Sequence, residues 1–155
     1  MNILDALHFW GGLPPVADTF AGTVYTDIVE AQGEGVAFLY WMAANGGTAN
    51  STLVVQACST IVAAATTAVA YQYKACTTFD TWGAWTQATT AGFATSGTSD
   101  NMYLLWVPAA EIASTGYKYV RLQLVEGGGA EACVGCVVGF VVNPRYQEQP
   151  QSLLD

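Results

Sequence analysis

The sequence predicts an all-β fold: an antiparallel two-sheet sandwich, jelly-roll-like, with at most one short helix and extended terminal arms. Short runs rich in β-branched and aromatic residues recur along the chain, and clusters of Gly, Asn, Ser and Thr separate them. Around residue 120, apolar Val120, Leu122 and Leu124 alternate with other residues, as in a strand with one packed face. Many short strands joined by short turns are typical of sandwiches and jelly rolls.

Eight strands are predicted, and turn residues separate them. In chain order they are residues 23–30, 36–42, 51–58, 68–76, 85–89, 101–107, 117–125 and 133–142. Glycine-containing segments such as 32–35 and 126–129 allow the chain to reverse between antiparallel strands. One helical signal follows the sixth strand: Pro108 suits a first helical turn and residues 114–116 stop the helix, which is therefore at most two turns long.

Residues 36–42 are apolar at every position, unlike the alternating strand around residue 120. A strand with one face in water would alternate, so we expect the outer face of this strand to be covered as well. Another subunit could supply that cover.

The chain divides into a predicted N-terminal arm (residues 1–20), a sandwich domain (residues 21–146) and a C-terminal tail (residues 147–155). Its 155 residues match one domain, which at this size buries roughly 70% of the surface that the unfolded chain exposes. Glycine and proline pairs at 11–12 and 14–15 interrupt the apolar residues of the arm. Two interpretations stay open: the arm packs on a neighbouring chain, or it covers its own sandwich.

Basic residues are scarce: Lys and Arg together number four, His occurs once, and the net charge is −8. Phosphate backbones and anionic lipids would be repelled, so we expect neither nucleic acid nor a membrane as partner. No run reaches the roughly 18 to 20 apolar residues that span a bilayer. The first twelve residues also lack the pattern of a secretory signal. We therefore expect a protein that is made in a cytoplasm.

Residues for catalysis or metal binding are few, and we expect no enzyme activity, cofactor or metal. His8 is the single imidazole, and no Ser or Cys nucleophile lies near it in the arm. Cys133 and Cys136 could join Cys58 and Cys76 in a zinc site, but positions three apart on a strand point to opposite faces. Free thiols that pack as small apolar residues are favoured over zinc or a disulfide. The carboxylates lie in turns or on opposite faces of a strand, which disfavours glycoside hydrolysis.

Aromatic residues are the strongest candidates for binding. Trp82 and Trp85 flank a glycine in a predicted loop, where exposed indoles could stack on sugars or enter a partner's pocket. Alternatively, they fold under the edge of the sandwich and fill the core. Tyrosines at 71 and 73, and at 117 and 119, have the i, i+2 spacing that places each pair on one face, near Lys74 and Arg121. Such a face suits contact with protein better than contact with water.

Arg145 lies just after the last predicted strand. Its guanidinium could bind a partner's carboxylate in bidentate fashion, but we favour a bond that ties the C-terminus to a turn of the same chain. The full set of candidate partner-binding residues is Leu7, Phe9, Trp10, Trp82, Trp85, Tyr119, Arg121 and Arg145.

Seven short segments, taken in order, resemble a known group of proteins. They are LPPVAD (13–18), GTVYTD (22–27), VVQAC (54–58), YQYK (71–74), DTWGA (80–84), GYKYVRL (116–122) and NPRY (143–146). In this order they resemble small structural proteins encoded near the capsid genes of tailed bacteriophages, which act as head decoration, or cement, proteins. The four cysteines and the low charge of this chain depart from that family.

The resemblance implies a β-sandwich on the exterior of a virion capsid, made in the host cytoplasm. Its partners would be the major capsid protein and further copies of itself, as a homodimer or homotrimer over joints between capsomers. We therefore expect a non-enzymatic protein that decorates and stabilises a capsid. The alternatives are a carbohydrate-binding or host-attachment module on the virion, and a tail or neck structural protein.

Overall fold

Two antiparallel sheets pack against each other in the computed structural model, which describes residues 6–19, 21–43, 50–78, 80–96, 100–128 and 132–143. The predicted all-β sandwich is confirmed. In chain order the strands of these residues are β1 (Leu7–Val16), β2 (Thr23–Tyr25), β3 (Val29–Glu30), β4 (Gly35–Met42), β5 (Ser51–Cys58), β6 (Thr66–Ala68), β7 (Tyr71–Thr78), β8 (Thr81–Trp82), β9 (Thr86–Ala88), β10 (Phe93–Ala94), β11 (Asn101–Pro108), β12 (Tyr119–Glu126) and β13 (Gly135–Val142).

The larger sheet has the strand order β1-β13-β4-β11-β7-β8, and β9 also pairs with β7. The smaller sheet has the order β10-β5-β12-β2, with β3 paired to β12 and β6 paired to β5. Helix α1 (Ala109–Ala113) follows β11 directly after Pro108, where the sequence predicts it, and buries Ile112.

The predicted strand at 23–30 is interrupted at Thr26. The backbone N–H of Thr26 donates to the Leu122 carbonyl (3.0 Å), and the Thr26 hydroxyl accepts from the Leu122 N–H (2.9 Å). The Thr26 hydroxyl thus replaces a backbone carbonyl as the acceptor for the Leu122 N–H. As a result, β2 and β3 pair with β12 as two short strands instead of one long strand.

The described part of the predicted arm, residues 6–19, belongs to the larger sheet. β1 pairs with β13 from Leu7 opposite Val142 to Val16 opposite Gly135. The register is irregular at the glycine and proline pairs of residues 11–12 and 14–15, where the strand bulges without ending. The structure therefore agrees with the interpretation in which this segment covers its own sandwich.

Every second residue of the long strands fills the core between the sheets. In β12, Val120, Leu122 and Leu124 are fully buried, which confirms the alternation predicted there. In β4 the buried side chains include Phe38 and Tyr40. The core therefore consists of apolar side chains from both sheets, and tyrosine hydroxyls extend into it.

Buried tyrosine hydroxyls find partners inside the sandwich. The Tyr40 hydroxyl shares a hydrogen bond of 2.9 Å with the hydroxyl of Thr19, and the Tyr71 hydroxyl donates to the Leu53 carbonyl. A buried polar group without a partner would cost about 1–3 kcal/mol. These bonds therefore favour the inward orientation of both tyrosines.

Trp10 lies in the core, which corrects its prediction as a partner-binding residue. Its side chain is 5% exposed, and its ring meets the Phe38 ring edge to face with 5.7 Å between centroids. Gly139 lies against the indole, and a Cβ at that position would overlap with the ring. Trp10 thus stabilises the fold and is not accessible to a partner in this structure.

Trp10→Ala should lower the free energy of unfolding by about 3–5 kcal/mol, because it leaves a large cavity in the core. Its neighbour Phe9 is 52% exposed and makes one edge contact with Phe140, so Phe9→Ala is the matched control. That control should cost about 1 kcal/mol or less. Urea unfolding of both variants measures the difference. Equal losses for the two variants would contradict the placement of Trp10 in the core.

The free energy of unfolding should fall as the pH rises from about 9 to about 11. Burial raises the pKa of the Cys58 thiol to about 11 and also raises the pKa of the Tyr40 and Tyr71 hydroxyls. Over this range the unfolded chain releases protons that the folded chain keeps, so rising pH favours unfolding. Urea titrations across the range measure this. A free energy that stays constant or rises would contradict the burial of these groups.

Candidate functional site

The outer side of the larger sheet carries three apolar rows. Directly paired residues of antiparallel strands lie on the same side of a sheet. The outward-pointing residues of β1, β13, β4 and β11, which alternate along each strand with the core residues, therefore align in rows across the sheet. The rows are Phe9, Phe140, Ala37 and Trp106; Val138, Leu39 and Leu104; and Cys136, Trp41 and Met102. We call these ten residues the apolar face.

Three of the ten residues of the apolar face are exposed, six are half-buried and Ala37 is buried. The exposed fractions are 54% for Trp41, 52% for Phe9 and 37% for Val138. The outer side of the four strands, about 4.8 Å apart and about eight residues long, covers on the order of 500 Å², and the apolar face is its middle part. Soluble monomers rarely expose contiguous apolar patches above a few hundred Å², and larger patches mark interaction sites.

The apolar face has a hollow beside a projection. The hollow has a volume of about 430 Å³ and extends from Ala37 on β4 across β11 to β7. The hollow is also lined by Glu34, Gln72, Trp85, Leu104, Trp106 and Val142. Trp41, four residues along β4, is the most exposed member of the apolar face.

A cation and two tryptophans border the apolar face at its β7 edge. Lys74 lies opposite Leu104, and its ammonium nitrogen is 5.2 Å from the centre of the Trp82 ring and 5.0 Å from that of Trp85. Such cation–π contacts contribute about 0.5–1 kcal/mol at exposed sites. We call Lys74, Trp82 and Trp85 the aromatic rim. Within the described residues, Lys74 is the one charged side chain in register with the apolar rows.

The two rim tryptophans are surface residues. Trp82 is 37% exposed and Trp85 is 47% exposed, so the alternative in which they fill the core is wrong. Because Lys74 contacts both rings, a sugar stacked on the same ring faces would have to displace the ammonium group.

The outer side of the smaller sheet is polar and makes its own hydrogen bonds. Arg121 Nε donates to Gln56 Oε1 (2.9 Å), and Gln56 Nε2 donates to Gln123 Oε1 (2.8 Å). The guanidinium also lies 3.9 Å from the centre of the Tyr25 ring. Arg121 is therefore held by neighbours on its own sheet, and this side needs no covering protein.

Tyr119 is 8% exposed on this polar side, where it packs with Ile28 and Cys58. The Lys118 ammonium lies 5.0 Å from its ring centre and forms an ion pair of 3.3 Å with Glu30. Tyr119 thus belongs to a small packed cluster of its own chain.

The predicted tyrosine-lined face does not exist as one surface. Tyr71 is buried, and Tyr73 stacks on Phe93 at 3.7 Å between ring centres, inside the sandwich. Lys74 lies on the outer side of the same strand, opposite Leu104. The i, i+2 spacing correctly placed Tyr71 and Tyr73 on one side of β7, but that side is the inner one. Tyr117 lies before β12 and packs against the main core, whereas Tyr119 belongs to a separate cluster, so that pair does not share one side of a strand.

The structure therefore separates the candidate partner-binding residues. Phe9, Trp82 and Trp85 lie on the outer side of the larger sheet, where Leu7 pairs with Val142 at one end of the apolar face; Tyr119 and Arg121 lie on the smaller sheet; Trp10 lies in the core. Arg145 lies outside the described residues. The residues predicted from the sequence did not include Trp106, Leu104, Phe140 or Val138. The signal that could have found them is the absence of alternation in their strands.

All four thiols are free: Cys58, Cys76 and Cys133 are buried, and Cys136 is partly exposed on the apolar face. The described residues contain no group of three or more His, Cys, Asp or Glu side chains arranged to hold a metal ion. They also contain no helix that is long and apolar enough to cross a bilayer.

Comparisons with protein-family models, with curated proteins and with solved structures find no match to this chain. Its own residues therefore carry the functional argument.

Cys136 should be the one thiol that a maleimide labels in the folded protein at low micromolar concentration and neutral pH. The other three thiols are buried, and burial raises the pKa of Cys58 and Cys133, which leaves less reactive thiolate. Intact mass should show a single adduct that Cys136→Ser abolishes. Unfolded protein, as the control, should take four adducts, one for each cysteine. Rapid native labelling of Cys58 would contradict its burial.

Proposed function

We propose that this protein is a non-enzymatic structural component of a virion, which decorates and stabilises a bacteriophage capsid at the joints between capsomers. The apolar face carries the proposal. Three of its side chains are 37–54% exposed, and contact of apolar surface with water costs free energy that a covering protein would recover. The resemblance of the sequence to head decoration proteins supplies the kind of assembly.

The shape of this surface favours a protein as its partner. Protein interfaces typically have an apolar centre and a polar rim. Charged residues are depleted at the centre, and Trp and Met are enriched. The apolar face follows this pattern: Trp41, Trp106 and Met102 are among its members, and Lys74 lies in the rim.

Decoration would act through mass action. A protein that binds the mature lattice and not its loosened form stabilises the lattice by RT ln(1 + [L]/Kd) at each site. Contacts of one oligomer with several capsomers increase the retention of each copy without any new kind of contact. No chemical step is needed.

A carbohydrate-binding or host-attachment role is the second candidate, and the exposure of Trp82 and Trp85 favours it. The contact of Lys74 with both rings weighs against it, because the ammonium group lies over one face of each indole. A tail or neck structural protein would use the same apolar face, and it differs from a decoration protein in its copy number.

Purified protein should co-sediment with expanded phage heads that lack it, and binding should saturate at a copy number that scales with the number of capsomers. Heads with bound protein should resist heat and low ionic strength better than bare heads, because binding selects the assembled state. Unexpanded heads are the control and should bind less.

Saturation at about a dozen copies or fewer would favour a tail or neck role instead. Binding to isolated host polysaccharide without binding to heads would favour host attachment. Either result would overturn the decoration role.

A further inference from the structure

We propose that a second copy of this chain covers the apolar face, in a symmetric dimer in which Trp41 of each copy enters the hollow at Ala37 of the other. The inference rests on the proposed function in taking the apolar face to be covered by protein, and it names that protein as a second copy, so that the dimer would contact the capsid through its other surfaces. Three observations carry it: the positions of hollow and projection, the charge distribution and the available area.

Ala37, which lines the hollow, and Trp41, the projection, are placed symmetrically on β4. Ala37 and Trp41 lie two residues to either side of Leu39, so each is about 7 Å from it along the strand. A two-fold axis that lies in the plane of the face and crosses β4 at Leu39 brings Trp41 of each copy over Ala37 of the other. In such an interface each contact occurs twice, and the surface is complementary to itself.

The hollow suits an indole in size and in chemistry. Pockets that hold compounds larger than an indole begin at about 300 Å³, and this hollow measures about 430 Å³. Its walls are mainly apolar, and Glu34 and Gln72 in its lining offer acceptor oxygens. A buried indole N–H needs such an acceptor.

The charge distribution allows contact between identical chains at this face. The chain has a net charge of −8, so two copies repel each other unless their carboxylates stay apart. The apolar face carries no carboxylate. Glu34 lines one end of the hollow and accepts a hydrogen bond of 2.7 Å from Asn143. Among the described residues, Lys74 is the one cation in register with the rows; it shares the row of Leu39, so the two-fold axis brings the two ammonium groups opposite each other at the β7 edge, where they must extend into water.

The area is sufficient for a reversible dimer. The outer side of the four strands, with the apolar face at its middle, covers on the order of 500 Å², and the aromatic rim extends it toward the roughly 800 Å² that each partner buries in an interface of standard size. A crystal-packing contact buries mostly less than about 400 Å² on each side.

Sedimentation equilibrium of the wild-type protein should show a concentration-dependent dimer. Trp41→Ala removes the projection and Ala37→Leu fills the hollow, so each should raise the dissociation constant at least about tenfold, as expected for a central aromatic contact. Tyr25→Ala is the matched control: Tyr25 is 41% exposed on the outer side of the smaller sheet, and its removal should leave dimerisation unchanged. Unfolding curves check that each variant folds; should Ala37→Leu not fold, Leu104→Trp fills the same hollow.

A mixture of the two interface variants gives the sharpest test. The Trp41→Ala variant keeps the hollow at Ala37, and the Ala37→Leu variant keeps Trp41. In a mixed dimer, Trp41 of the second variant can enter the hollow of the first, so one of the two contacts forms, whereas neither forms in either homodimer. Native mass spectrometry of an equimolar mixture should therefore show the mixed dimer in excess of the 1:2:1 ratio that random pairing gives. In wild-type protein, maleimide labelling of Cys136 should slow as the concentration rises, because Cys136 lies next to Trp41 in the register.

A wild-type protein that stays monomeric at high micromolar concentration would overturn the inference, and so would a dimer that both interface variants preserve. The head-binding experiment judges the proposed function separately. A dimer without head binding would support the inference and overturn the function, whereas head binding by a monomer would do the reverse.

Discussion

The structure depends on the full-length pairing of β4 with two neighbours. β4 pairs with β13 from Gly35 to Met42 and with β11 over the same eight residues. Side chains alternate between the two faces of a sheet, so this register decides which residues fill the core and which form the apolar face. A shift by one residue would exchange the two sets.

Hydrophobicity alone cannot specify that register, because β4 is apolar on both faces. Polar partners and close approaches distinguish its two sides. The Tyr40 hydroxyl finds Thr19 only on the inner side, and on β11 the Tyr103 hydroxyl accepts the Ser96 N–H. On β13, Gly139 leaves the space that Trp10 occupies. A shifted register would leave buried hydroxyls without partners and would drive side chains into the indole.

The two outer sides of the sandwich are chemically unlike, and this difference organises the functional proposal. On the smaller sheet, Arg121, Gln56 and Gln123 satisfy one another and tolerate water. On the larger sheet, aromatic and aliphatic side chains stand open with a single cation at one edge among the described residues. The polar side favours solubility, and the apolar side gains free energy only when it is covered.

The sequence by itself determined the class of fold and most of the strands, because alternation, turn residues and Pro108 act over a few neighbouring positions. It also indicated that one strand is apolar on both sides. Tertiary structure decided the rest. Residues 11–15 looked like a break in the chain, but pairing with β13 absorbs the irregularities as bulges and brings Trp10 into the core. The alternation of side chains along a strand shows which of them share a side, but not which side faces the core. The pairing of β7 with β11 decides that Tyr71 faces inward. The apolar face combines residues from four strands that are distant in sequence, and only sheet pairing brings them together.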